Sequence, residues 1–421
     1  MRHDFDVIIV GAGIAGSALA CSLSSGFYAG TKGLRIALVE AHKVSDKLPA
    51  QGGEVKGFDA RVSALTRASI DYFEKLGVWS AMTALRSCPF VGMQVWDARG
   101  TGEINFDAQA MGVGYLGHIV ENRVITAALM SAVREQRVEI LDGCAVSSIM
   151  LPKAGERQQA DGGAQVTLNN GSRMTADLVV AADGAHSPCR QMLGMPVRAW
   201  DYQQDAIVCT VAVSQPHQYT AWQTFTGTGP LAYLPLMTEP KSSDHVGPHY
   251  CSIVWSQTRE RAEQLLALPE AEFCQQLASA LEFRLGDVVA VSRRQSFSLQ
   301  QQHAIDYVHE GFALIADAAH TIHPLAGQGI NLGIGDVQEL AQTIAMATAD
   351  GAPLGELARL QRYQRARKTD NLAMMAVVEG FKRLYEPVPL PVMWLRNWGM
   401  QQVNSLPWLK NKILKYAMGL G

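Results

Sequence analysis

The stretch from Asp6 to Gly16, DVIIVGAGIAG, constrains the fold more than any other part of the chain. Val7 to Val10 form a continuous apolar run, the pattern of a parallel strand buried on both faces. Gly11, Gly13 and Gly16 follow as G-x-G-x-x-G, and SALACSL continues with a helical pattern. The first glycine allows a tight turn. The second lets backbone approach a pyrophosphate, and the third lets helix and strand pack closely, with the helix N-terminus aimed at the phosphates. A second strand, Leu34 to Val39, ends at Glu40. An acid there suits an adenosine ribose hydroxyl and repels a 2′-phosphate, so the site should take FAD or NAD and disfavour NADP. A bare glycine pattern is a weak signal. After a strand, before a helix and followed by Glu40, it is specific.

Two more strand ends carry polar residues. Leu178 to Arg190 reads LVVAADGAHSPCR, an apolar strand running into Asp183 and Gly184, then Ser187 and Arg190. An ordinary strand-to-turn Asp-Gly would look the same. Phe312 to Ala316 (FALIA) is another buried-strand pattern, and it ends at Asp317, where ligands collect in open α/β sheets. Pro324 bends the chain, Gly327 and Gly329 allow close backbone approach, and the chain is helical from Ile330. Asp317 can hold a ribityl hydroxyl. A helix N-terminus behind the glycines can favour negative charge on a reduced flavin ring. The same run contains His320 and His323. With Asp317 they form a two-histidine, one-carboxylate set of the kind that holds non-haem iron. The glycines that follow at once, and the role Asp317 already has, favour a flavin cradle and no metal. The two histidines then fix the loop by hydrogen bonds and are the candidates for proton transfer.

These motifs resemble those of the group A flavin monooxygenases, the family of para-hydroxybenzoate hydroxylase. Gly11, Gly13, Gly16 and Glu40 match its first FAD motif. Asp183, Gly184, Ser187 and Arg190 match its DGxxSxxR motif, which in that family is implicated in FAD and NAD(P)H binding. Asp317, Pro324, Gly327, Gln328 and Gly329 match its GDAAHxxxPxxGQG motif, with Asn331 just beyond. Ala316 stands where the family usually has Gly, and its methyl group predicts a small shift with flavin binding intact. The resemblance covers nearly the whole chain. DARVSAL (Asp59 to Leu65), LGVW (Leu76 to Trp79) and HTIHPLAGQGINLG are similar to the ubiquinone-biosynthesis ring hydroxylases. GMQVWD, LGHIVENRVI, WDYQ, CSIVWS and the terminal KYAMGL are similar to the aerobic 2-polyprenylphenol hydroxylases of that group, which act at ring carbon 5.

The resemblance implies an oxidoreductase in which NAD(P)H reduces FAD and oxygen adds to give a flavin hydroperoxide. The distal oxygen then passes to an electron-rich ring. It implies a polyprenylated phenol as substrate, with other ubiquinone-biosynthesis proteins and accessory lipid-binding factors as partners. One Rossmann motif leaves the nicotinamide donor a transient site. Arg190 is a candidate for that role and Arg61 for flavin phosphates, each with a surface ion pair as the alternative. A dehydrogenase or oxidase that never inserts oxygen is the competing class. A non-catalytic member of a biosynthetic complex is a third.

The expected fold class is α/β: a Rossmann-type FAD-binding domain, para-hydroxybenzoate hydroxylase-like, with an inserted, mainly antiparallel substrate sheet and a C-terminal helical segment. Residues 1–80, 120–195 and 305–345 are assigned to the FAD domain, 81–119 and 196–304 to the substrate domain, and 346–421 to the helical region. The 421 residues suit two or three packed lobes. The net charge of −3 gives no basic field for nucleic acid. Seven scattered cysteines without a CxxC fit reduced thiols. The first residues predict no signal peptide, and no apolar run reaches the roughly 18 residues of a membrane span. These features point to the cytoplasm, with a peripheral contact at the inner membrane as a further expectation. After Pro387 and Pro389, Met393, Trp394, Leu395, Trp398, Leu406 and Trp408 mix with Arg396, Lys410, Lys412 and Lys415, and no acid follows Glu386. One reading is core-covering helices with a basic edge. The other is a surface for membrane or partner proteins.

Overall fold

A computed structural model describes residues 3–44, 55–152, 163–237, 249–322, 329–385, 390–406 and 410. His323, Pro324, Gly327 and Gln328, the loop 241–248, Pro387, Pro389 and the terminal KYAMGL lie outside the described residues.

The apolar runs of the first motif and its counterparts become the strands of one eight-stranded sheet. Its parallel centre is β19 (Phe312–Leu314), β11 (Arg173–Ala181), β1 (Phe5–Val10), β2 (Ile36–Glu40) and β8 (Val138–Asp142), in that order. β18 (Val308–His309) closes one edge, and β9 (Val146–Met150) and β10 (Ala164–Leu168) hang from β11 as an antiparallel extension. β11 shows why its sequence reads as it does. Arg173 to Ala176 alternate in burial against β10, whereas Leu178 to Ala181 are buried without a break between β1 and β19. Helix α1 (Ile14–Ser24) packs between α4 (Asn122–Arg134) and α8 (Gly329–Ala349), and the three form part of the core that covers this sheet.

A nine-stranded, mainly antiparallel sheet forms the second layer. It runs β20 (His320–Thr321), β17 (Gln295–Ala304), β12 (Val197–Val213), β15 (His249–Thr258), β14 (Pro230–Leu236), β13 (Thr220–Phe225), β5 (Gly92–Asp97) and β6 (Glu103–Asp107), with β16 (Val288–Val291) also on β12. Only β13 and β5 pair in parallel among the described strands of this sheet. One face carries Ile207, Cys209, Tyr233 and Trp255 against α6 (Arg259–Ala267) and α7 (Glu270–Ala280). The other carries Ala212, Leu234, Leu236 and Tyr250 and meets Phe58, Phe90 and Ile119. Those three come from the neighbourhood of a small sheet of β3 (Val62–Thr66), β7 (Gly117–Glu121) and β4 (Cys88–Phe90). The segment 81–119 is therefore shared: β5 and β6 extend the large sheet, while β4 joins β3 and β7.

Three shorter helices complete the core: α2 (Arg67–Lys75), α3 (Trp79–Leu85) and α5 (Pro188–Met192). Thr66 caps α2 by accepting from the Ser69 N–H, and Ser187 caps α5 by accepting from the Arg190 N–H at 3.0 Å. The C-terminal part consists of α9 (Leu357–Tyr385) and α10 (Leu390–Ser405). α10 lies on β6, and Tyr385 at the end of α9 stacks on Phe225 with ring centroids 3.7 Å apart. No helix of the described residues is long and apolar enough to cross a membrane.

Candidate active site at the strand ends

The order β19-β11-β1-β2 sets four sequence-distant groups side by side at the carboxyl ends of adjacent parallel strands. They are Asp317, Asp183, Gly11 and Glu40. Backbone bonds lock the row together: Ile315 N to Ala181 O at 3.0 Å, Ala182 N to Val10 O at 2.8 Å, and Gly11 N to Val39 O at 2.7 Å.

The glycines divide by task. A Cβ on Gly11 would sit 2.4 Å from the Ala182 oxygen, and one on Gly16 would sit 1.9 Å from the Gly11 oxygen. Gly11 also has φ of +103°, which L side chains rarely adopt. A Cβ on Gly13 or Gly184 would meet no atom within 4 Å. Two glycines are thus consumed by packing, and two leave open space where a ligand's phosphates or ring can approach. Glu40 ends β2 half-buried, and its Oε2 accepts from the Ala12 N–H at 2.7 Å. Asp183 accepts from the Cys189 N–H at 3.0 Å through Oδ2, while its Oδ1 is buried without a protein partner. A buried acceptor facing no donor is a place for a ligand hydroxyl or N–H. The open glycine positions and this orphaned oxygen fit FAD. When bound, FAD supplies the redox chemistry and the activation of oxygen. The α1 N-terminus and Gly13 would hold its pyrophosphate, Glu40 a ribose hydroxyl, and Asp317 and the α8 N-terminus the ribityl and ring end.

Asp317 sits in a short turn after β19. It is exposed by area yet surrounded closely by protein, and that surrounding mass raises its pKa; His320 and Arg61 oppose the rise. Arg61 itself is exposed and lies near enough for its charge to act on Asp317. Ala316 has φ of +52°, the left-handed region where family members use Gly. Its methyl group is accepted by Gly333 of α8, where a Cβ would come within 2.9 Å of it. The expected small shift therefore takes the form of a strained residue keyed into the next helix.

The structure adds a clamp that the sequence did not single out. Asp336 of α8 is fully buried. Its Oδ2 accepts from the Ala316 N–H at 2.9 Å and lies 2.5 Å from His320 Nε2. Its Oδ1 accepts from Arg367 Nε at 2.8 Å and Asn371 Nδ2 at 3.3 Å, both on α9. Burial alone would raise the Asp336 pKa, but His320 and Arg367 hold it down to about 2. His320, a proton-transfer candidate from the sequence, is 2% exposed and sets its Nε2 against Asp336, because β20 turns its ring inward onto α8. Arg190 is 4% exposed and donates to the Ala318 carbonyl at 2.6 Å and the Ala185 carbonyl at 2.8 Å. It is no surface ion pair; it ties the Asp183 loop to the Asp317 loop. Asn331 receives the Thr66 N–H at 3.0 Å and donates to the Ala64 carbonyl at 2.8 Å, joining α8 to β3. Its side chain acts as a brace. The first turn of α8, which begins at Gly329, is where helix geometry aims backbone N–H groups outward and where a flavin can meet them. No group of three metal-binding side chains stands together among the described residues.

The profile of the FAD binding domain family matches residues 4–377. The chain belongs to this family, and it is a FAD-dependent monooxygenase. It is 34% identical to the mitochondrial ubiquinone biosynthesis monooxygenase of Danio rerio, covering 98% of this chain and 89% of that one. It is likewise 34% identical to the 3-demethoxyubiquinol 3-hydroxylase of Escherichia coli, covering 99% and 98%. Among solved structures, p-nitrophenol 4-monooxygenase of Pseudomonas putida superposes with a TM-score of 0.74 at 17% identity, over 100% of this chain and 99% of that one. PqsL of Pseudomonas aeruginosa does so with 0.73 at 22% identity, over 94% and 99%. Those two likenesses carry the fold, which is that of the para-hydroxybenzoate hydroxylase-like flavoproteins.

Proposed function

We propose that the chain hydroxylates the aromatic ring of a polyprenylated phenol in ubiquinone biosynthesis, at ring carbon 5, using NAD(P)H and O2. The observation that carries this reading is the row Asp317, Asp183, Gly11, Glu40 at the strand ends, joined by Asn331 to β3, whose small sheet faces the apolar side of the large sheet. Phe58, Phe90, Leu234, Leu236 and Tyr250 pack as an apolar core between the small and large sheets, and this apolar surrounding supports a ring with an apolar tail as the substrate. The protein's part is to orient that ring toward the flavin end of the site and to exclude water. Relatives spanning almost the whole chain are named for ubiquinone biosynthesis, which supports the pathway.

The Escherichia coli relative is named for carbon 3 of a demethoxyubiquinol, and this favours a second reading: the same chemistry at another ring carbon. The test is an aerobic reaction of the FAD-loaded protein with a 2-polyprenylphenol, NADPH and heavy-isotope O2. One labelled oxygen at carbon 5 is the expected product. Label at another carbon moves the step within the pathway. Turnover with no label in the product would establish a dehydrogenase or oxidase and overturn the reading.

Access to a lipid-tailed substrate also suggests a peripheral membrane or partner contact through α10. Trp394 and Trp398, four residues apart, project from it at 72% and 59% exposure.

A further inference from the structure

A groove lies between the outer ends of β12 and β17 and the middle of α9, with a volume of about 320 Å³. Its lining includes Arg198, Trp200, His303, Ile305, Lys368 and Leu372. Three of its apolar side chains are open to solvent: Trp200 at 52%, Leu372 at 45% and Ile305 at 37%. Scattered singly over a surface such residues mean little. Gathered from three chain segments onto one concave wall, they mark a surface shaped for a ligand.

The groove is also cationic. No described acid pairs with Arg198. Lys368 Nζ donates to the Ile305 carbonyl at 2.5 Å, which positions its charge without neutralising it. Glu379, the one carboxylate on the lining, already accepts from the Tyr202 hydroxyl at 3.0 Å and from Arg383 at 2.6 Å. At the base, His303 is 4% exposed, and its Nε2 is buried without a partner. Burial first, then the charges of Lys368, His320 and Arg198, hold the His303 pKa down at about 4, as a region of positive potential should.

We propose that this groove is a binding site for an anionic amphiphile, with its phosphate or carboxylate held by Arg198 and Lys368 and its hydrocarbon chain laid against Trp200, Ile305 and Leu372. Neither half of the lining explains the other. A bare anion leaves the apolar wall wet, and a neutral chain leaves Arg198 and Lys368 without an acid among the described residues. The groove's lining shares no residue with the strand-end row of Asp317, Asp183, Gly11 and Glu40, and the proposal does not depend on which ring the enzyme hydroxylates. The ligand has two sources, a phospholipid of an anionic bilayer or a free acidic amphiphile.

The full chain loaded with FAD is titrated with decyl phosphate below its micellar concentration, by calorimetry and by tryptophan fluorescence. Saturable binding is expected, weakened roughly ten-fold or more in the Arg198→Gln, Lys368→Gln double variant, which keeps its FAD. Leu372→Ser should weaken decyl phosphate but leave inorganic phosphate unchanged. Flotation with phosphatidylglycerol vesicles that is lost in the double variant assigns the bilayer as the source. Decyl phosphate binding without flotation assigns a free amphiphile. The proposal is overturned if decyl phosphate does not saturate, if the double variant binds as the parent does, or if decanol or inorganic phosphate binds as tightly as decyl phosphate. Labelled-oxygen incorporation by these variants would leave the reaction reading standing even then.

Discussion

Ala316 and Asp317 are neighbours with opposite consequences for mutation. Asp317 stands at the flavin end of the strand row with a raised pKa and faces solvent rather than a structural partner. Asp317→Ala should therefore purify largely free of FAD with its fold unchanged; a variant with full flavin content and an unshifted spectrum would refute the assignment. Ala316 holds φ of +52° at a position that glycine adopts freely. Ala316→Gly should stabilise the protein by about 1 kcal/mol, read from the urea midpoint of the FAD-free form. The reverse pressure falls on Gly333: Gly333→Ala drives a methyl group into Ala316 and should lower the melting temperature and FAD affinity together.

At the scale of elements, the Asp317 turn is shaped by helices distant in sequence. α8 supplies Asp336, α9 supplies Arg367 and Asn371, and both ends of the turn, Ala316 and His320, are gripped by one carboxylate. Breaking a buried pair leaves an uncompensated charge, so Arg367→Gln should cost about 3 kcal/mol of stability and weaken FAD retention. Equilibrium unfolding in parallel with flavin content checks this. The pH sign follows from Asp336. Its folded pKa, about 2, lies below the ordinary carboxylate value of about 3.9. Its contribution is present above the unfolded value and is lost as pH falls through the folded one. Between about pH 4 and pH 2 the parent protein should lose stability faster than Asp336→Asn, which has no such proton to gain. Equal slopes in acid unfolding curves would remove Asp336 from this account.

Over the whole molecule, α10 has two sides. Inward, Arg396 pairs with Asp97 of β5 in a fully buried contact, and Asn397 accepts from the Gly102 N–H at 2.7 Å. Outward, Trp394 and Trp398 stand in solvent. The inward face covers the β5–β6 edge, and the outward face is the one through which we propose a membrane or partner contact. Deletion from Leu390 onward should unpair Asp97 and destabilise the β5–β6 edge, and so cannot by itself isolate a tail-binding role. The Trp394→Ser, Trp398→Ser pair should leave melting temperature and FAD content unchanged while reducing attachment to anionic vesicles. Unchanged attachment would assign both tryptophans no part in membrane contact.

What the sequence determined alone was the local chemistry of each strand end. Apolar runs closing on Gly11, Glu40, Asp183 and Asp317 announced strand, turn and acid, because buried parallel strands and tight glycine turns leave a residue-level imprint. The helices after Gly16 and from about Ile330 were legible for the same reason, with α1 beginning three residues earlier at Ile14. The FAD class followed from these motifs together. The tertiary structure alone decided which of these residues face a ligand and which face each other. His320, Arg190 and Asn331 are candidates in the chain, and in the fold their side chains bond to Asp336, Ala318 and Thr66 as braces beside the strand-end row. Asp336 and Arg367 left no sign in the sequence, since a lone acid and a lone base 31 residues apart on two helices look like solvated charge. Only the packing of α8 against α9 buries them, and burial is what turns two ordinary surface charges into the clamp of the flavin turn.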